Sequence, residues 1–171
     1  MWGASYGRRR VTNEIERHLL AAIELARRSR ANGNHPFGAL LVDADGKVVL
    51  EGENTVLTAQ DCTGHAETNL IRLASERFDP DFLSRCTLYT STEPCAMCAV
   101  AIYWGNVRRV VFALSQEEIG RITGGNPENM QLTISSVGNA TASQPNAALK
   151  RGASSETQWA ADGAGGQVVV C

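Results

Sequence analysis

The chain has 171 residues, of which 43% are hydrophobic and 20% charged, and its formal net charge is −2. This length suits one domain with a single substantial core. The slightly acidic balance argues against a protein that binds nucleic acid backbones avidly. No apolar run is long enough to span a bilayer, and the N-terminus lacks the apolar region of a secretory signal, so we expect a cytoplasmic protein.

The N-terminal third predicts one helix followed by a β-hairpin. Apolar residues recur at helical spacing over residues 13–31, where Asn13 and Glu16 resemble a capping box. Two β-like runs follow at residues 37–43 and 47–53, separated by a segment that contains Asp45-Gly46. Asp-Gly between two such runs is a typical hairpin turn.

The middle of the chain predicts two helices and two strands after a loop at residues 53–64. We expect a helix from His65 to about Arg77, a strand at residues 87–91, a helix at residues 95–104 and a strand at residues 107–113. The helix at residues 95–104 is apolar almost all round and should be buried. A strand, a helix and a strand in succession predict a parallel pair with a crossover helix.

The predicted elements fade after Ile119, although residues 130–137 could form a last strand. Residues 138–167 are rich in Ala, Gly, Ser, Thr, Asn and Gln, a composition that buries little and often stays mobile. We therefore predict a domain over residues 1–137 and a low-complexity, mobile C-terminal tail over residues 138–171.

Two short motifs carry the chemistry: His65-Ala66-Glu67 and Pro94-Cys95-Ala96-Met97-Cys98. Cys95 and Cys98 are three residues apart, so on a helix they share one face and can bind one metal ion with His65. Three protein ligands and one place for water are the composition of a catalytic zinc site. Glu67 could reach that water without binding the metal and act as general acid and base.

Two other interpretations of these residues stay open. The Cys-x-x-Cys pair could be a redox pair, although such pairs lack a His-x-Glu partner. Cys62, three residues before His65, could be a fourth ligand, which would close the site and make this a structural zinc module. That interpretation leaves Glu67 without a role. Of the five cysteines, Cys86 and Cys171 fit a buried small residue and a tail residue.

These motifs, together with their surroundings, resemble the cytidine deaminase-like superfamily, and within it bacterial guanine deaminases and tRNA adenosine deaminases. The similarity extends over roughly residues 12–115 and is carried by four segments: residues 36–39, 52–54, 61–67 and 94–104. The resemblance implies a three-layer α/β/α fold around a five-stranded mixed sheet, usually assembled as a homodimer. It implies Zn²⁺ on the three ligands and hydrolytic deamination of a nucleobase or nucleoside.

The resemblance also implies three substrate contacts. Phe37 would stack on the ring, Asn54 would hydrogen-bond the edge of the base, and Trp104 would form or support the wall of the pocket. An aromatic face suits a flat base, and an amide offers both a donor and an acceptor. Each residue also fits a plain structural role, in the core for the two aromatic residues and in a turn for Asn54.

Departures from the family pattern leave the substrate open. Cys62 replaces a usual proline, Gly64 replaces a usual alanine, and the region after Ile119 lacks the acidic, aromatic segment of guanine deaminases. A free base or nucleoside, with guanine favoured, is the leading expectation. A tRNA adenosine deaminase or a cytosine- or cytidine-type deaminase is the alternative, and a structural zinc module is the non-enzymatic one.

Overall fold

The computed structural model describes residues 4–123, 156–161 and 164–170, and the side chains discussed below lie within residues 13–122. The helices are α1 (Ala4–Ala31), α2 (Val56–Ala59), α3 (Ala66–Arg77), α4 (Pro80–Arg85), α5 (Ala96–Trp104) and α6 (Gln116–Thr123). The strands are β1 (Gly38–Val42), β2 (Val48–Glu53), β3 (Thr87–Thr92), β4 (Arg109–Leu114), β5 (Glu156–Ala161) and β6 (Ala164–Val170). None of the described helices is long and apolar enough to cross a bilayer.

The strands form one mixed sheet in the order β2-β1-β3-β4-β6-β5. The pairs β2–β1, β1–β3 and β5–β6 are antiparallel, whereas β3–β4 and β4–β6 are parallel. Helix α5 is the crossover between β3 and β4, as the strand–helix–strand order predicts. The hairpin between β1 and β2 is also confirmed, with Gly46 at φ 81° in its turn.

Each face of the sheet has its own apolar core, which makes the fold a three-layer α/β/α sandwich. Alternate residues along a strand point to opposite faces, so Leu41 of β1 packs toward α3 while its neighbour Leu40 packs toward α1. The α1 layer comes very close at Gly38, where a Cβ would lie 2.5 Å from the backbone nitrogen of Ala26. Glycine is therefore required at the start of β1.

The predicted fold class is confirmed, although several details differ from the expectations. The sheet has six strands instead of five, because residues 156–161 and 164–170 form β5 and β6 in a segment that we interpreted as tail. The β-branched run that ends β6 was the signal for a strand. The division of the chain after residue 137 stays a prediction, and the candidate strand at residues 130–137 lies outside the described residues.

The predicted capping box at Asn13 is wrong, because α1 begins at Ala4 and Asn13 lies inside the helix. The burial predicted for α5 is also wrong: only Cys98 and Ile102 of this helix are buried. Its main contact is with helix α3, and within one chain Val100, Tyr103 and Trp104 stay exposed. Helix α2 occupies part of the predicted loop, and α4 and α6 were not predicted.

Candidate metal and active site

The three predicted ligands come together between the N-terminal ends of α3 and α5. His65 is the N-cap residue of α3, Cys95 is the N-cap residue of α5, and Cys98 lies one turn into α5. The Nδ1 atom of His65 lies 3.6 Å from each of the two Sγ atoms, which are themselves 3.6 Å apart. Because the Cys-x-x-Cys motif starts at the N-cap of α5, both sulfur atoms lie toward the histidine.

This triangle of donor atoms fits a zinc ion. In a tetrahedral zinc site with the usual bond lengths, two sulfurs lie about 3.8 Å apart and a sulfur and a nitrogen about 3.6 Å apart. His65, Cys95 and Cys98 form the one group of potential metal ligands found within the described part of the chain. Cys62 is exposed and outside this group, so the site has three protein ligands and one open position.

In the metal-free ligand set one of the three ligands is already in its metal-binding protonation state, and the other two release protons when a metal binds. Hydrogen bonding with Cys98 and His65 lowers the pKa of Cys95 to about 4, which makes it a thiolate at neutral pH. The hydrogen bond to Cys95 and burial raise the pKa of Cys98, and the hydrogen bond with Cys95 raises the pKa of His65. A thiolate at a helix N-terminus is further stabilised by the helix dipole. In the metal-free site Cys95 is therefore the thiolate, and Cys98 and His65 keep their protons beside it.

Glu67 lies on the first turn of α3 and is buried, with 4% of its surface exposed. Its Oε1 accepts a hydrogen bond of 2.7 Å from Thr90 Oγ1, and its Oε2 lies 3.6 Å from Cys98 Sγ. Burial raises the pKa of the Glu67 carboxyl, while the hydrogen bond from Thr90 opposes this. A carboxyl with a raised pKa beside the ligand set is suited to accept and return a proton near neutrality.

Phe37 and Asn54 are neighbours beside the start of β1. The backbone N–H of Asn54 donates to the carbonyl of Phe37 at 3.2 Å, and the half-buried Phe37 ring packs on the core below α3. Asn54 is only 1% exposed. Its Oδ1 accepts a hydrogen bond from the backbone N–H of Val56, whereas its buried Nδ2 has no hydrogen-bond partner among the described residues. Such an unsatisfied buried donor is costly and is common where a ligand completes the hydrogen bond.

Several residues that the sequence interpretation missed hold this loop. Ser29 of α1 donates to the carbonyls of His35 and Asn54, at 2.8 and 3.1 Å. Asn69 of α3 donates to the carbonyl of Glu53 at 2.9 Å. Both are polar residues on the buried side of an otherwise apolar helix stripe, which was a signal available in the sequence. They tie the Asn54 loop to both helical layers.

The substitution at Gly64 has a local explanation. A Cβ at this position would lie 2.7 Å from Thr55 Oγ1, so the threonine side chain occupies the space that an alanine would use. The backbone N–H of Thr55 also donates to the Gly64 carbonyl at 2.8 Å. Gly64 therefore lets the chain after Asn54 approach the loop that carries His65.

The structure does not bring Trp104 to the site. Trp104 is the last residue of α5, nine positions after Cys95, and a rise of 1.5 Å per residue places it about 13 Å away along the helix. It is 78% exposed and makes an edge contact with Tyr103. Within one chain Trp104 therefore lies apart from the three ligands, and its role in forming or supporting the pocket wall stays a prediction.

The α/β/α sandwich, the open three-ligand site and the buried carboxyl beside it together define a zinc-dependent hydrolytic enzyme. Comparison with known proteins gives the family. The cytidine and deoxycytidylate deaminase zinc-binding region matches residues 12–114. The chain belongs to this family of zinc-dependent deaminases.

The most similar relatives differ in substrate. A probable cytosine deaminase of Schizosaccharomyces pombe is 42% identical over 120 residues, which are 70% of this chain and 72% of that protein. Guanine deaminase of Bacillus subtilis is 47% identical over 78 residues, 46% of this chain and 49% of that enzyme. A tRNA-specific adenosine deaminase of Haemophilus influenzae is 36% identical over 114 residues, 66% of each chain.

The chain thus spans about half of that guanine deaminase in the sequence match. The crystal structure of the same enzyme superimposes with a TM-score of 0.58 and 38% identity, covering 64% of this chain and 70% of that one. These relatives support the deaminase chemistry and leave the substrate to be argued from the site.

Proposed function

We propose that this protein hydrolytically deaminates a free aminopurine or its nucleoside, with guanine as the favoured substrate. The observation that carries the proposal is the pairing of Phe37 with Asn54 at the start of β1, where the next residue, Gly38, lies 3.4 Å from the Thr90 hydroxyl that contacts Glu67. Their backbones are hydrogen-bonded at 3.2 Å, and the Asn54 Nδ2 donor is buried and unpaired. A flat ring stacked on Phe37 would present an edge acceptor to this donor.

The reaction adds water to the ring carbon that carries the amino group and releases that group as ammonia, leaving a carbonyl. Zinc in such a ligand set supplies an acidified water near neutral pH. Glu67 would take one proton from the water and pass it to the ring nitrogen. It would then take the second proton from the hydroxyl left on the ring carbon, as that oxygen becomes the carbonyl, and pass it to the departing amine. Its burial, together with the 2.7 Å hydrogen bond to Thr90, keeps the carboxyl in place while it changes protonation state.

Charge pairing at the end of α1 favours a small substrate over transfer RNA. Arg28 forms ion pairs with Glu51 at 3.0 Å and with Glu53 at 2.5 Å, and Arg27 pairs with Glu24 at 3.3 Å. Two of the three arginines at this end of the helix, Arg27 and Arg28, thus have carboxylate neighbours, and a patch of mixed charge attracts a phosphate backbone less strongly than a purely basic one. Three further arginines, at residues 8–10, lie outside the residues whose side chains are described.

The alternatives are separated by features of the site. A cytosine-type substrate is favoured by the relative from Schizosaccharomyces pombe, and it too has an acceptor edge that Asn54 could serve. A structural zinc module would need a fourth ligand, and Cys62 is exposed and outside the ligand group. An enzyme that acts on a free base or nucleoside therefore remains our proposal.

The deciding experiment is an ammonia-release assay of the zinc-loaded protein with guanine, guanosine, cytosine, cytidine and transfer RNA. We expect the highest kcat/KM with guanine or guanosine and no release from transfer RNA. Glu67→Gln is the matched control, because it preserves the shape of the side chain and removes proton transfer. Rapid deamination of transfer RNA without activity on any base or nucleoside would refute the proposal.

We further propose that the protein acts as a homodimer. Val100, Tyr103 and Trp104 at the end of α5 are 44%, 41% and 78% exposed, and clustered exposed apolar residues are typical of an interface. Light scattering should give twice the mass of one chain, and Trp104→Glu should lower it. A monomeric mass for the unmodified protein would refute this.

A further inference from the structure

A buried hydroxyl contacts the candidate general acid and base Glu67. Thr90 lies near the end of β3, is completely buried, and faces α3. Its Oγ1 lies 2.7 Å from Oε1 of Glu67 and 3.4 Å from the carbonyl oxygen of Gly38. We infer that Thr90 is a positioning residue that holds one oxygen of the Glu67 carboxylate and leaves the other to move protons. The inference deepens the proposed function and rests on it.

The two oxygens of Glu67 have different surroundings. Oε1 takes the short hydrogen bond from Thr90, whereas Oε2 lies 3.6 Å from Sγ of Cys98 and so faces the ligand set. The last torsion of a free glutamate is broad and would let the two oxygens exchange. The hydrogen bond from Thr90 removes this freedom. Proton transfer is thereby assigned to Oε2.

The hydroxyl itself is held by a rigid part of the fold. Thr90 pairs with Ala39 of β1 on one side and with Phe112 of β4 on the other, so its backbone lies inside the sheet. Glu67 reaches it from α3, a separate layer. A group placed on a central strand is more precise than one placed on a loop. The hydrogen bond from Thr90 thus fixes the position of the Glu67 carboxylate relative to the sheet.

The hydroxyl has two oxygen atoms within reach. It donates to Oε1 of Glu67 at 2.7 Å, and the carbonyl oxygen of Gly38 lies 3.4 Å away. The shorter distance makes the carboxylate its main partner. The Gly38 carbonyl lies on the other side, within the sheet.

The test compares Thr90→Val, which keeps the shape and removes the hydroxyl, with Thr90→Ser, which keeps the hydroxyl. Thr87→Val, at the other end of β3, is the matched control for the same chemical change. We expect Thr90→Val to lower kcat about ten- to a hundredfold, as for loss of a hydrogen bond to a charged group. The KM and the zinc content of Thr90→Val should change less than about threefold. The kcat of Thr90→Ser should stay within about threefold of that of the unmodified protein, because serine keeps the hydroxyl.

A double mutant separates positioning from general stability. If Thr90 acts through Glu67, adding Thr90→Val to Glu67→Gln should cause no further loss of the residual activity. A crystal structure of Thr90→Val should show the Glu67 carboxylate rotated or in several orientations, a readout that needs no turnover. Thr90→Ala serves in both measurements if Thr90→Val does not fold.

Three results would overturn the inference: Thr90→Val as active as Thr87→Val, Thr90→Ser as impaired as Thr90→Val, or an unmoved carboxylate in the variant structure. The failure of the proposed function is distinct, because Glu67→Gln would then retain its activity or none of the bases and nucleosides would react.

Discussion

Asn54 provides a direct test of base recognition, because the protein uses only one half of its amide. The Oδ1 atom accepts from Val56 N–H at 3.1 Å, and the Nδ2 atom is buried without a partner. Asn54→Asp keeps an oxygen for Val56 and removes the donor. An acceptor on the substrate that is left unpaired costs about 1–3 kcal/mol, which corresponds to a loss of about 5- to 150-fold in kcat/KM.

The pH dependence of this variant gives the sharper result. Burial raises the pKa of an introduced carboxyl because it disfavours the charged form. As the pH falls through that raised pKa, the carboxyl gains an O–H donor. The ratio of kcat/KM for Asn54→Asp to that of the unmodified protein should therefore rise toward low pH.

Asn54→Ala has no donor at any pH, so its ratio should be low and independent of pH. The assay is initial-rate ammonia release from the best substrate between pH 5 and 9, a range that spans roughly the titration of a buried carboxyl. Zinc content is measured at each pH. Equal kcat/KM for Asn54→Asp and the unmodified protein at high pH would refute a role for Nδ2, as would the same pH trend in Asn54→Ala.

Four further outcomes are expected. Phe37→Ala should lower kcat/KM about ten- to a hundredfold at unchanged zinc content, since stacking contributes about 1–3 kcal/mol. If the variant were as active as the unmodified protein, Phe37 would not contact the substrate. Cys95→Ser should lose zinc by elemental analysis while Cys62→Ser keeps it, and equal loss would mean a closed site. Burial raises the pKa of Glu67, so its favourable contribution to stability is present below the ordinary carboxyl pKa and is lost as pH rises through the raised value. Zinc-free Glu67→Gln should therefore melt about 2–8 °C higher than the unmodified protein at pH 7, a gain that vanishes near pH 4. Gly38→Ala should cost about 3 kcal/mol or more in a urea titration, because its Cβ would lie 2.5 Å from atoms of α1; a cost under about 1 kcal/mol would contradict that packing.

The strands and central helices could be predicted because their signals are local. The Asp45-Gly46 turn and the two β-like runs beside it predict the hairpin within one residue of β1 and β2. Helices α1 and α5 show what local signals do not predict. Residues 4–12 continue α1 although no apolar period marks them, and α5 is exposed on one side because its partners lie on a single face. Helix propensity and hydrophobic periodicity are properties of one segment, whereas the burial of that segment depends on elements that are distant in the chain.

The grouping of His65, Cys95 and Cys98 could be predicted for a similar reason. Cys95 and Cys98 are close in the chain, and their chemistry leaves few other uses. The sequence could mark Ser29 as a polar residue on an apolar helix stripe, but it could not identify the partners of the supporting groups. Thr90 is 23 residues from Glu67, and Ser29 is 25 residues from Asn54. The role of a buried hydroxyl depends on its hydrogen-bond partner, which only the fold brings into contact with it.

The position of β3 between the two halves of the ligand set links metal supply to the amount of folded protein. His65 precedes β3 in the chain and the two cysteines follow it, so the complete ligand set exists only after this strand has joined the sheet. Zinc therefore binds the native state more tightly than the unfolded chain, and each tenfold rise of free zinc above its dissociation constant stabilises the fold by about 1.4 kcal/mol. A cell that is short of zinc would consequently lose this protein by unfolding and proteolysis as well as by inactivity.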